Sequence, residues 1–213
     1  MAKEYIMTAL LILFAALILY GLVKYLLMVL NRRQNRADDI VFFPGDTPHF
    51  LTNADAARLR YGRKRMDWNG CEVIAVYNAR VLLGQKASMA RLAAQFQSAG
   101  AMWGWGYFGS DPRRIGRVLT KNGMEYTAFH TTEGIRQPGI YILSYWTGHP
   151  WRSHLHTVTA VKTESGFITY NRGSAPDRRA PEEYLKGGFM QGYYLKDTPG
   201  KEQHQHAINR ENS

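Results

Sequence analysis

Cys71 is the single cysteine among 213 residues, and it lies in the string Trp68-Asn69-Gly70-Cys71-Glu72, where an apolar helical run over residues 73–83 begins. A thiol at a helix start ionises readily, because unpaired N–H groups and the positive end of the helix dipole favour the thiolate. Such a nucleophile needs a base to receive its proton. His156 stands immediately before an alternating, strand-like run at 157–161, and Asn171 ends the next such run, 167–170. Ser165-Gly166 between the two predicts a tight hairpin, which brings the far ends of its strands, and with them His156 and Asn171, together. The expected chemistry is acyl transfer: Cys71 as nucleophile, His156 as base, and Asn171 holding the imidazole in the useful tautomer without taking a proton itself.

Each residue alone has an ordinary explanation. A single buried cysteine usually fills apolar space, and a histidine beside a strand is usually a satisfied polar group. The conjunction of order, helix start and hairpin is what points to catalysis. His149 and His154 lie in the preceding loop, so His156, 15 residues before Asn171, is the better base. A zinc site drawn from Cys71 and these histidines is the other use of the same atoms, but one thiol without a paired spacing argues against it. No metal and no cofactor are expected.

The string 69–72, the stretch Gly106-Tyr107-Phe108-Gly109-Ser110-Asp111-Pro112 before an apolar helix, and His156 and Asn171 flanking a hairpin together carry a resemblance. The chain resembles the papain-like cysteine peptidases related to bacteriocin double-glycine leader peptidases, over about residues 60–175. The resemblance implies a papain-like fold, a thiolate–imidazolium pair at Cys71 and His156, attack on an amide carbonyl of a peptide or protein substrate, and a bacterial setting. The chain departs from the family at one point. Members usually carry a glutamine several residues before the cysteine to help hold the oxyanion, yet no glutamine occurs between Gln34 and Gln85. Asn69 and Arg65 are the candidates to replace it, beside the Cys71 backbone N–H, although Asn69 serves equally well as a helix cap.

Residues 5–30 are apolar except for Lys24, and about 20 such residues cross a bilayer. The run is longer than the apolar stretch of a signal peptide and no small-x-small cleavage pattern follows it, so a single-pass anchor in the cell (inner) membrane is expected. Arg32, Arg33 and Arg36 follow the span, against Lys3 and Glu4 before it. The positive-inside tendency then puts the catalytic domain in the cytoplasm. The expected organisation is an anchor at 1–31, a juxtamembrane linker at 32–54, a catalytic domain at 55–197 and a polar, disordered tail at 198–213 holding His204 and His206. The formal net charge of +10 is scattered, with no nucleic-acid motif, and fits attraction to anionic lipid headgroups rather than nucleic acid.

Positioning these residues requires helices first and an antiparallel sheet afterwards, the α+β class. A short helix is expected at 55–59, the cysteine helix to a stop at Gly84, a helix capped by Ser88 and ended by Gly100, and a third opening at Ser110-Asp111-Pro112. Strands are expected at 140–146, 157–161, 167–170 and 192–196. Residues 102–110 join glycines to aromatics, so Trp103, Trp105 and Tyr107 are candidates for a substrate cleft, or for a packed cover over the core; Trp146 is a further rim residue. A membrane-anchored cysteine peptidase is the leading expectation. A thiol amidase or acyltransferase, identified by an amine outcompeting water, and a non-catalytic papain-like peptide-binding protein are the alternatives; the missing glutamine favours the last. No Gly-x-x-x-x-Gly-Lys motif is present, so the chain holds no ATP-driven export motor of that type.

Overall fold

A computed structural model describes residues 2–107, 109–148, 154–185 and 188–196. His149, Phe108 and the tail beyond residue 196 lie outside them. Helix α1 spans Ala2–Ala37, and its most apolar 18 residues have a mean hydropathy of 2.7 with none buried, so it is long and apolar enough to cross a membrane.

The polar residues after the apolar run were expected to open a linker at residue 32. Instead α1 continues to Ala37, and its Asn31 and Asn35 are buried. The amide of Asn31 donates to the Gly62 carbonyl at 2.9 Å, while Asn35 donates to the Arg60 carbonyl at 2.8 Å and accepts from its N–H at 2.7 Å. These amides replace solvent with the backbone of a hairpin, β2 (Arg60–Tyr61) and β3 (Lys64–Arg65). Nor is the segment after α1 a free tether. Asp39 accepts from the Ser88 hydroxyl and the Ala90 N–H, β1 (Val41–Phe42) pairs with β4 (Ala87–Ser88), and buried Leu51 has both backbone groups bonded to the Asn78 amide. Residues 53–59 form successive turns rather than a helix, with bonds from Ala56, Ala57 and Leu59 to residues three positions back.

The short α2 (Met66–Asn69) ends at Gly70, which also opens α3 (Cys71–Leu82). A Cβ on Gly70 would lie 2.1 Å from the Met66 sulfur and 2.7 Å from its carbonyl, so only glycine allows the two helices to meet there. Every residue of α3 except Arg80 is buried. It is the central helix, with α4 (Met89–Ser98) beside it and α5 (Ile115–Lys121) beyond. The Ser88 cap read from the sequence forms, its hydroxyl accepting from Arg91 N–H, and at the opening read at 110–112 the Asp111 carboxylate accepts from Arg113 N–H above Pro112.

The sheet that follows runs in the order β5 (Tyr126–Phe129), β9 (Phe189–Leu195), β6 (Gly139–Thr147), β7 (His154–Thr163), β8 (Gly166–Tyr170), antiparallel throughout. The arrangement is α+β. Strand β5 escaped the sequence pattern because none of its residues is fully buried and no alternation marks it. Side chains alternate across a strand, and that alternation divides the core. Ile140, Ile142 and Val161 face the helices, and the Thr159 hydroxyl donates to the Ala75 carbonyl of α3 at 2.7 Å. Tyr141, Leu143, Tyr145, Val158 and Ala160 form a second cluster with Leu185 on the opposite face.

Candidate active site

Cys71 occupies the first position of α3 and is 7% exposed. Its sulfur lies 3.4 Å from Oε2 of Glu72, to which the thiol donates, and 4.0 Å from the Leu155 carbonyl. The N–H and hydroxyl of Thr157 also favour the thiolate. Burial and the adjacent Glu72 carboxylate outweigh them and hold the thiol well above its usual value, so the helix-start advantage is lost. Glu72 is itself 1% exposed, and burial pushes its pKa up to about 7, with the charge of Asp111 adding and the Ser110 hydroxyl opposing. Ser110 in turn donates to the Tyr61 hydroxyl at 3.0 Å. Burial and then Glu72 push that phenol strongly upward.

The hairpin brings His156 and Asn171 together as expected, but through different atoms. Nε2 of His156 lies 2.6 Å from the backbone carbonyl of Asn171, not from its side chain. A carbonyl can only accept, so the proton of the neutral ring is on Nε2 and Nδ1 carries the lone pair. Asn171 has φ 66°, a left-handed conformation that asparagine tolerates, and its amide points instead to the Thr157 carbonyl at 3.5 Å. Burial holds the His156 pKa below its ordinary value against the Asn171 bond, with His154 and Arg172 adding to the depression.

Strand alternation separates the two principal groups. Thr157 and its partner Ser144, whose hydroxyls are 2.9 Å apart, share the α3 side with Thr159 and thus with Cys71. His156 leaves the strand on the other side, its ring 5.9 Å from Tyr145, and Tyr145 continues to Tyr184. Arg172 covers the Tyr184 ring and pairs with Asp177. His154 has the same parity as His156 and is exposed. Among the described residues, no hydrogen bond joins Cys71 to a histidine.

The two oxyanion candidates are committed elsewhere. The Asn69 amide donates to the Tyr61 carbonyl at 3.0 Å and the Gly106 carbonyl at 2.7 Å, which uses both its hydrogens. It is not a cap either, since Gly70 holds that place. The Arg65 guanidinium forks onto Asp67, with Nε 3.1 Å from Oδ1. Of the aromatic candidates, Trp103 and Tyr107 are exposed and Trp105 packs its ring 5.7 Å from Tyr20 of α1. Trp146, exposed on the same sheet face as Ser144, edges the Cys71 side. Sequence reasoning passed over Glu72, though a carboxylate inside an otherwise apolar helical run is a visible signal of a buried acid.

No protein-family model matches the chain, and no curated protein is significantly similar to it.

Proposed function

We propose that this chain is a membrane-anchored, papain-like cysteine peptidase, held by α1 with its domain on the cytoplasmic side. The observation that carries the reading is the position of the Cys71 sulfur: it opens the central helix and lies against the backbone at Leu155 and Thr157, the residues on either side of His156, at the end of the hairpin where His156 meets Asn171. Catalysis on this reading begins when the thiol proton passes to Nδ1 of His156 and Sγ forms a C–S bond with a peptide carbonyl carbon. The amide C–N bond then breaks as His156 returns the proton to the leaving amine. Water, deprotonated by the same nitrogen, cleaves the thioester and regenerates the thiol. The reaction requires the His156 ring to leave Tyr145 and turn to the sulfur side of β7 when substrate binds. An amine taking the place of water would make the same site an acyltransferase.

A second reading is favoured by the resting thiol, which is protonated, buried and bonded to Glu72: a scaffold that binds a peptide without cleaving it. Labelling of Cys71 by a peptidyl acyl electrophile at neutral pH, in the wild type and in His156→Ala, separates the two. The peptidase reading expects fast labelling that falls at least tenfold without the histidine. Slow labelling, equal in both, overturns it and leaves the binding scaffold.

A further inference from the structure

The docking of α1 fixes where a bilayer meets the domain. From Tyr20, whose ring faces Trp105, to Asn35, bonded to Arg60, the domain runs alongside the helix for ~22 Å at 1.5 Å per residue. A hydrocarbon core takes about 20 helical residues, so a span beginning at Tyr5 ends near Lys24, itself 5.5 Å above the Tyr20 ring. The lipid boundary therefore falls beside Trp105, and not at residue 31. The loop that carries Trp105 also carries Trp103 and Tyr107, which are 52% and 46% exposed. Next to it stands Trp68, 70% exposed and the most exposed tryptophan among the described residues. Lys64 joins these groups, its ammonium 4.5 Å from the Tyr107 ring and 5.4 Å from that of Trp68. Arg63 is exposed on the same hairpin, and its N–H donates to the Trp105 carbonyl at 2.8 Å.

We propose that the face formed by Trp68, Trp103, Tyr107 and Lys64 is seated in the headgroup layer of an anionic bilayer, rigidly aligned by α1. This rests on the reading of α1 as the membrane anchor. Indole and phenol rings with an apolar body and a polar tip favour that layer, and the ammonium and guanidinium groups among them match anionic phosphates. The seat is rigid because bonds run from the helix to the thiol's own turn: Asn31 to Gly62, Arg63 to Trp105, and Asn69 to Gly106, two residues before Cys71. Close packing enforces it. A Cβ on Gly62 would lie 2.3 Å from the Trp105 carbonyl oxygen, and one on Gly106, at φ +92°, 2.7 Å from the Asn69 amide.

The full chain carrying Cys71→Ser, with one new cysteine bearing an environment-sensitive dye at Trp103→Cys, Trp68→Cys or Ser165→Cys, is reconstituted in phosphatidylcholine–phosphatidylglycerol vesicles with nitroxide near the headgroups. Ser165 is exposed in the hairpin turn ~25 Å along β7 from Thr157 and reports the pole away from the thiol. The expected result is flotation of all three chains with the vesicles and quenching several-fold greater at positions 103 and 68 than at 165. Flotation with equal quenching at all three overturns the seat and leaves the anchor standing. Absence of flotation overturns both. Neither outcome bears on thiol chemistry, which the labelling of Cys71 decides.

Discussion

Glu72→Gln isolates the acid that the structure places beside the thiol. Burial raises the carboxyl from an ordinary value of 4.5 to about 7, so the folded chain binds a proton that the unfolded chain has released across that interval. Stability from this group is fully present below pH 4.5 and is lost as pH rises through about 7. The shift corresponds to about 3 kcal/mol. Glutamine keeps the shape, has no charge to desolvate and does not titrate. Urea denaturation of the detergent-solubilised chain at a series of pH values is the assay, read as the difference between variant and wild type so that other titrations cancel. The difference should grow by about 3 kcal/mol in favour of glutamine from pH 4.5 to 8. The same change removes the like charge beside sulfur, so iodoacetamide should alkylate Cys71 faster in the variant at pH 8 and at an equal rate below pH 5. A stability difference that stays flat with pH would refute the buried, proton-retaining carboxyl.

His156 titrates with the opposite sign. Its folded pKa is depressed, so the wild type should lose stability as pH falls below about 6.5, a loss that His156→Ala should lack in the same denaturation series. Asn35→Ala strips both bonds from the Arg60 backbone and should cost about 2 to 4 kcal/mol, measured by denaturation; a cost under ~0.5 kcal/mol would mean that α1 is not docked through this residue. Gly106→Ala puts a methyl into the Asn69 amide at a left-handed backbone position, and should lower the melting temperature by several degrees and change Cys71 alkylation. Protease added outside intact cells should leave the domain whole if α1 carries it on the cytoplasmic side, and digestion under those conditions would reverse the orientation.

Where local chemistry decided an element, the sequence announced it. Ser88 caps its helix as its type predicts, Ser110-Asp111-Pro112 leads into the next, Ser165-Gly166 turns the hairpin, and Gly70 opens the cysteine helix. Where partners distant in the chain decided, the signal was silent. Asn31, Asn35 and the arginines among them look like the solvated end of a membrane helix, and only the hairpin at 60–65, about 30 residues away, turns the two amides into a docking site. Strand β5 exists because β9 offers it an edge, with Phe129 opposite Gly192, whose missing side chain leaves room for the ring.

The site divides along the same line. That His156 and Asn171 would meet followed from hairpin length alone, since 15 residues of ladder and turn must return to their starting end. Which atoms would meet did not follow, because the left-handed turn at Asn171 presents its carbonyl in place of its amide. The face of β7 was equally hidden. Residues 156, 158 and 160 read His, Val, Ala, and residues 157, 159 and 161 read Thr, Thr, Val; each row mixes polar and apolar side chains, so periodicity cannot choose which one meets α3. The structure gives that side to the threonines, and their hydroxyls find acceptable partners there: Thr159 on the Ala75 carbonyl, Thr157 on Ser144. An imidazole turned into that layer without such a partner would leave a polar ring atom unsatisfied, at about 1 to 3 kcal/mol. The resting position of His156 against Tyr145 and the Asn171 carbonyl is therefore the one that satisfies it, and on the peptidase reading proposed above a substrate that draws the ring toward Cys71 must supply, from its own polar atoms, the hydrogen bond the ring gives up.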